Sequence, residues 1–191
     1  MKVLIAISGV VLLSILTYAH IQVSKPQSKV YYTATNVTEG VPPITQASID
    51  LALLIYNIKV PREVRGPTLD LQLIDRGLTH AFPSVGVMRV TIGPSAFTSW
   101  SVLGSTLAHE IEVHCHQNFA VILGLNLAHL EGTTAAERMA YIYEVHNAQR
   151  FGSTADEVDA IIDTMMTYYP RKQTWSEHFR SFIIKNLMMH G

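Results

Sequence analysis

The chain changes its hydrophobic rhythm several times along its length. Residues 3–16 form an almost unbroken apolar run behind Lys2, and Thr17-Tyr18-Ala19 then offers small residues for a cleavage after Ala19. That pattern predicts a signal peptide over residues 1–19. Left uncleaved it would serve as a membrane anchor, because about 20 apolar residues span a bilayer. Both readings export the remainder, to be periplasmic or secreted, or held on the membrane by residues 3–19 and facing outward. No cysteine follows the run, which excludes a lipoprotein anchor. Residues 20–45 are rich in Ser, Thr, Gln and Pro and read as a tether, with one short strand at residues 30–35.

Beyond the tether the periods become those of folded elements. Thr45 or Ser48 caps a helix carrying Ile49, Leu53 and Ile58, which must end before Pro61. Leu69, Leu71 and Leu73 alternate as a short strand would, and residues 85–92 read as a clearer strand closed by Gly93-Pro94. From Thr98 the period is helical, predicting one helix from about Ser99 to about Leu123, stopped by Gly124. Thr134-Ala-Ala-Glu137 matches a capping box opening a helix that closes at Phe151-Gly152. A second capping box, Thr154 to Glu157, opens a helix with Val158, Ile161, Ile162, Met165 and Tyr169 on one face, ended by Pro170. Trp175, Phe179, Phe182, Ile183 and Leu187 form a last amphipathic stripe. Both stripes read as core scaffold, and the fold class is α+β, mainly α-helical.

Composition narrows the class of function. With 48% hydrophobic and 15% charged residues the 191-residue chain is globular, about one domain in size. Lys plus Arg number 14 against 15 acids, and no basic stripe appears in the sequence, so no nucleic-acid partner is expected. The single Cys115 excludes an internal disulfide framework and a cysteine-built zinc cage. Nine histidines are the unusual feature, and three of them fall between positions 109 and 116.

That segment reads Leu107-Ala-His109-Glu110-Ile-Glu112-Val-His114-Cys115-His116-Gln117. A helix carrying His-Glu and a second His about one turn later is how zinc metallopeptidases hold their metal. Two neutral imidazoles and a third protein ligand bind the ion and leave a fourth position for water, whose proton the neighbouring Glu takes. Here the second histidine falls at i+5, because position 113 is Val113. On a regular helix His109 and His114 would point about 140° apart. They converge only if the helix takes in one extra residue as a π-bulge. The pairs Glu110 with His114 and Glu112 with His116 need no bulge, but would then need another base.

The His-Glu-x-x-x-His spacing resembles that of dipeptidyl peptidase III, within the zincin-type zinc metallopeptidases. The resemblance covers six residues and a downstream Glu, and implies a mechanism rather than a substrate. It implies a minimal zincin-like domain over residues 46–191, with an active-site helix, a following Glu-bearing helix and a small β element. In the gluzincins the third ligand is a Glu of the next helix. Glu137, followed by Arg138, Met139 and Ala140, resembles their Glu-x-x-Ala arrangement, with Glu144 the second choice seven residues on. Tyr141, one turn after Glu137, is the candidate oxyanion donor, ahead of His146. The strand at residues 85–92 would lie over the active-site helix as an edge that pairs with extended substrate.

The reading is therefore a zinc metallopeptidase: His109, His114 and Glu137 hold Zn²⁺, Glu110 is the general base, and peptide or protein is the substrate. His116 and Gln117 are candidates for supporting contacts or substrate contacts, and Cys115 packs inward. The alternatives are a non-enzymatic exported protein binding a metal or a partner through the same helices, and a metal-dependent amide hydrolase acting on a non-protein substrate.

Overall fold

A computed structural model describes residues 40–82 and 86–170. The N-terminal apolar run, the strand expected at residues 30–35 and the stripe at residues 175–187 lie outside the described residues. The fold is α+β and mainly helical, as expected, with six α-helices and a three-stranded sheet among the described residues. Helix α1 spans Gln46–Ile55; strands β1, β2 and β3 span Val64–Leu69, Gly77–Phe82 and Val87–Ile92; helix α2 spans Trp100–Ala108. Helices α3 (Phe119–Leu127), α4 (Gly132–His146), α5 (Ala148–Phe151) and α6 (Ala155–Tyr168) follow. No helix among the described residues is long and apolar enough to cross a membrane.

Helix α2 is the centre of the molecule, buried along its whole length. Ser99 caps it by accepting from the Val102 amide, and Leu103, Leu107 and Ala108 join Ile49 and Ala52 of α1, Tyr56 just after it, Val90 and Ile92 of β3, and Phe151 in one core. A carboxylate clasp ties its start to α6. The expected Thr154–Glu157 capping box forms, and the Glu157 carboxylate also accepts from Ser99 at 2.8 Å and Ser101 at 3.0 Å. Three donors thus meet this buried carboxylate, the condition under which its burial is tolerated.

Several elements depart from the sequence reading. The sheet order is β1-β3-β2, with β3 parallel to β1 and antiparallel to β2. Strand β3 is thus the central strand, and the edge beside the π-turn that follows α2 is β2, a strand the periodicity did not single out. Leu71 and Leu73 belong to the β1–β2 loop, and only Leu69 is in a strand. The long helix expected to reach Leu123 stops at His116. Gln117 turns extended, and Asn118 caps the new helix α3 by accepting from Val121, leaving Gly124 inside it. Helix α4 starts at Gly132, before Thr134, because Asn126 of α3 accepts from the Thr133 amide at 3.0 Å and so satisfies a first-turn donor. The Thr134–Glu137 capping box is consequently absent, and Glu137 is free to turn inward. Helix α4 ends at His146, and Gly152, at φ 68°, closes the short α5 at the stop the sequence marked.

Gly104 lies where α2 crosses α1, and a Cβ there would collide with the Tyr56 ring. Gly104→Ala is expected to destabilise the fold by about 2 kcal/mol, the usual cost of overpacking a filled core. Urea denaturation of the two proteins checks this; an unchanged midpoint would show that the Tyr56 ring can step aside.

Candidate metal centre

The continuation of α2 carries the site. Residues His109–Val113 form a π-turn, and the His114 amide points at both the Glu110 carbonyl and the His109 carbonyl. This is the extra residue that the i+5 spacing demands. A short 3-10 turn, His114–His116, then ends the segment. The two imidazoles converge, with their Nε2 atoms 3.1 Å apart. Glu137 reaches in from α4, one carboxylate oxygen 3.6 Å from His109 Nε2 and the other 3.6 Å from His114 Nε2. His109, His114 and Glu137 are all buried and form the group among the described residues that could hold a metal ion. Ligands bound tetrahedrally at 2.0–2.1 Å stand roughly 3.3 Å from one another, so the donor set fits without rearrangement.

The outer hydrogen bonds fix which ring nitrogens are free. His109 Nδ1 lies 2.7 Å from the Glu144 carboxylate, which can only accept, so Nδ1 carries the proton. Gln117 donates its amide nitrogen to the Ala136 carbonyl at 3.0 Å, which turns its oxygen to His114 Nδ1 at 2.7 Å. When both rings are neutral, each therefore aims an Nε2 lone pair at the same point. Two lone pairs at that distance repel unless a cation stands between them. Glu144 is thereby placed behind His109, anchored by Arg76 at 3.1 Å, and is not the third ligand. Gln117 also ties His114 to the backbone beside Glu137, so two ligands share one brace.

The charges follow from this geometry. Burial pulls the His109 imidazole down, but Glu137 and Glu144 outweigh it and raise it to about 10. His114 is raised against burial by Glu137. Burial would lift Glu137, yet His114 and His109 hold it well below the usual carboxylate range. Glu144, lifted by burial, is brought down to about 2 by Arg76 and His109.

Glu110 lies on the sheet side. Thr79 of β2 donates to its carboxylate at 2.7 Å, and Gly77 of the same strand leaves it room, since a Cβ there would stand 2.7 Å from Glu110 Cγ. Burial holds the Glu110 carboxyl above its ordinary range, against the pull of His114 and His109. Tyr141 is fully buried, its ring edge-on to His109 with centroids 4.9 Å apart, and burial keeps its phenol protonated well above the ordinary range. Tyr169, the residue after α6, stacks on Tyr141 at 5.8 Å.

The remaining candidates fall elsewhere. Glu112 faces away and accepts from Arg150 at 2.7 and 2.9 Å and from Tyr143 at 2.8 Å, while His116 is exposed, so they make no metal pair. His146 is exposed too. Cys115 packs into the core as expected, and burial pushes its thiol up to about 12. Arg76, Thr79 and Gly77 escaped the sequence reading, because nothing local in residues 76–79 marks a long-range contact. Comparison with protein-family models, with curated proteins and with solved structures finds no match to this chain.

The purified protein is expected to carry about one metal ion per chain, lost in His109→Ala and in His114→Ala, read by elemental mass spectrometry. Glu144→Gln and Gln117→Ala keep all three ligands but should weaken the metal about 10- to 100-fold in a chelator competition. Unchanged affinity in both would reduce these contacts to packing.

Proposed function

We propose that the protein is a zinc-dependent hydrolase of peptide bonds, with His109, His114 and Glu137 as ligands and Glu110 as general base. The observation that carries this reading is the convergence of the His109 and His114 Nε2 atoms, 3.1 Å apart, on the side where Glu137 closes the triad. A zinc ion held there would polarise the scissile carbonyl and acidify a water toward a pKa of about 7. The donor set of two imidazoles and one carboxylate suits zinc and leaves a fourth position.

The rest of the work falls to side chains of this chain. Glu110 takes the proton of the attacking water and later passes it to the leaving amine. Its raised affinity for a proton matches that task, since a base that must also act as acid works best near the operating pH. Thr79 orients it from β2. The far edge of β2 has no strand partner among the described residues, which suits an extended peptide added by main-chain pairing next to Glu110. This feature favours a peptide over other amides. Tyr141 donates to the oxyanion from its protonated phenol beside His109.

Screening a peptide library by mass spectrometry tests the activity. Glu110→Gln should lower turnover about 10³-fold with the metal retained, and full activity in that variant would remove Glu110 from the mechanism. Gly77→Ala crowds the same carboxylate and should lower kcat at least about tenfold with metal content intact. Tyr141→Phe should lower kcat about 10²-fold with KM little changed. A kcat equal to wild type would leave Tyr141 as a wall of the ligand shell.

A further inference from the structure

The described cations divide into two groups. Arg76 and Arg150 pair with Glu144 and Glu112, and Arg138 donates to the Tyr169 carbonyl at 2.8 Å. Lys59, Arg62, Arg65 and Arg89 are exposed, and none of them has an acid within ion-pair distance among the described residues. All four lie in β1, in β3 or in the segment that leads into β1. Lys59 and Arg62 lie in the segment leading into β1, Arg65 is in β1, and Arg89 is its register partner in β3. His80 of β2 is in turn the partner of Arg89, so three basic side chains form a row across the sheet. Register partners share a face. This one is opposite to the face on which Val90 and Ile92 meet the core and Thr79 meets Glu110.

Like charges placed directly across two strands destabilise a sheet. Glu63 is the one acid among residues 56–69 and does not cancel the row. Arg89 also stands 5.8 Å from the ring of Phe82, an aromatic at the end of the same face. The paired cations Arg65 and Arg89 beside an aromatic suit an anionic interface with an apolar layer beneath it.

The polypeptide arrives at the same place. The Gln46 side chain, at the start of α1, donates to the Pro67 carbonyl and accepts from the Leu69 amide, both at 3.0 Å. The N-terminal end of α1 is thus fastened to β1, the strand that carries Arg65. Ahead of it lie a tether over residues 20–45 and the apolar run over residues 3–16. Twenty-six residues, 20–45, separate that run from α1, so a run inserted in a bilayer would keep this end of β1 near the headgroups.

We propose that the outward face of the sheet, centred on Arg65 and Arg89, docks on an anionic lipid bilayer. This goes beyond the hydrolase reading and does not depend on it. Docking there keeps the opposite face of the sheet, on which Thr79 meets Glu110, turned away from the bilayer.

The test uses the full chain with its metal, sedimented with vesicles of phosphatidylcholine alone or with about a third phosphatidylglycerol. Partitioning onto the anionic vesicles should exceed that onto the neutral ones at least about 25-fold. The preference should vanish in about 1 M NaCl, where the screening length is ~3 Å. In Arg65→Gln/Arg89→Gln it should fall about 25-fold, at roughly fivefold per cation, while neutral binding, circular dichroism and metal content stay as in wild type. Equal partitioning of the wild-type chain on both vesicles overturns the proposal, as does a double variant that keeps the anionic preference. Tighter binding to duplex DNA or to an acidic polypeptide than to the anionic vesicles assigns the face to another partner and overturns it too. If the double variant misfolds, Arg89→Gln alone and the salt series decide.

Discussion

One surplus residue in a turn of helix governs this molecule, because it decides whether His109 and His114 face one point or opposite sides of a rod. On a regular helix they would stand about 140° apart, with one imidazole in the core and the other against a different neighbour. The π-turn His109–Val113 absorbs the surplus and turns both rings the same way. The π-turn interrupts the regular i to i−4 ladder of the helix. The fold answers with contacts on both sides of it. Glu112 is clamped by Arg150 and Tyr143 on the outside, and Arg150 itself donates to the Tyr56 carbonyl at 2.7 Å, binding the turn to the end of α1. On the inside Thr79 holds Glu110. The clamp is half-exposed and salt-screened, so packing of the buried α2 supplies the larger share of rigidity.

The legible parts of the sequence were those that local chemistry writes out. Thr45, Ser99 and Thr154 each precede an apolar period and each caps a helix. Gly152 adopts φ 68°, where a side chain would be strained. The histidine spacing demanded a bulge or a different ligand pairing, and the bulge is present. The less legible parts depend on contacts distant in the chain. Thr134 to Glu137 spells a capping box, but Asn126, reaching across from α3, captures the Thr133 amide and moves the helix start upstream. The apolar run after His116 continues the helical period so well that the break at Gln117 is invisible to periodicity. Only Asn118, a residue with a strong preference for the cap position, hints at it. Strand β2 lacks clean alternation because Gly77 and Thr79 are kept for Glu110 instead of for the core.

The same separation in sequence hid the basic row. Arg65 and Arg89 are 24 positions apart, and neither lies in a charged run, so only strand register makes them neighbours. Charge patterning along a chain reports a surface poorly wherever a sheet brings distant strands together. A near-neutral total, 14 cations against 15 acids, is compatible with a locally basic face when the acids lie elsewhere, as Asp156, Asp159 and Asp163 do on the exposed side of α6.

Charge balance at the buried centre links these observations. Glu110, Glu137 and Glu144 are all buried within reach of one another's fields, and Arg76 supplies a single compensating charge. If all three carboxylates are ionised, the cluster is two positive charges short. Isolated charges in a low-dielectric interior are too costly to leave in that state. The groups respond as a set: Glu110 is raised toward its neutral form, and His109 and His114 are raised toward theirs as cations. A divalent ion on the two Nε2 atoms and Glu137 would supply both missing charges at once and displace those protons, so that occupation of the site and release of protons are one event. The geometry of the two imidazoles and the charge deficit of the carboxylates are independent features, and both ask for the same thing at the same point.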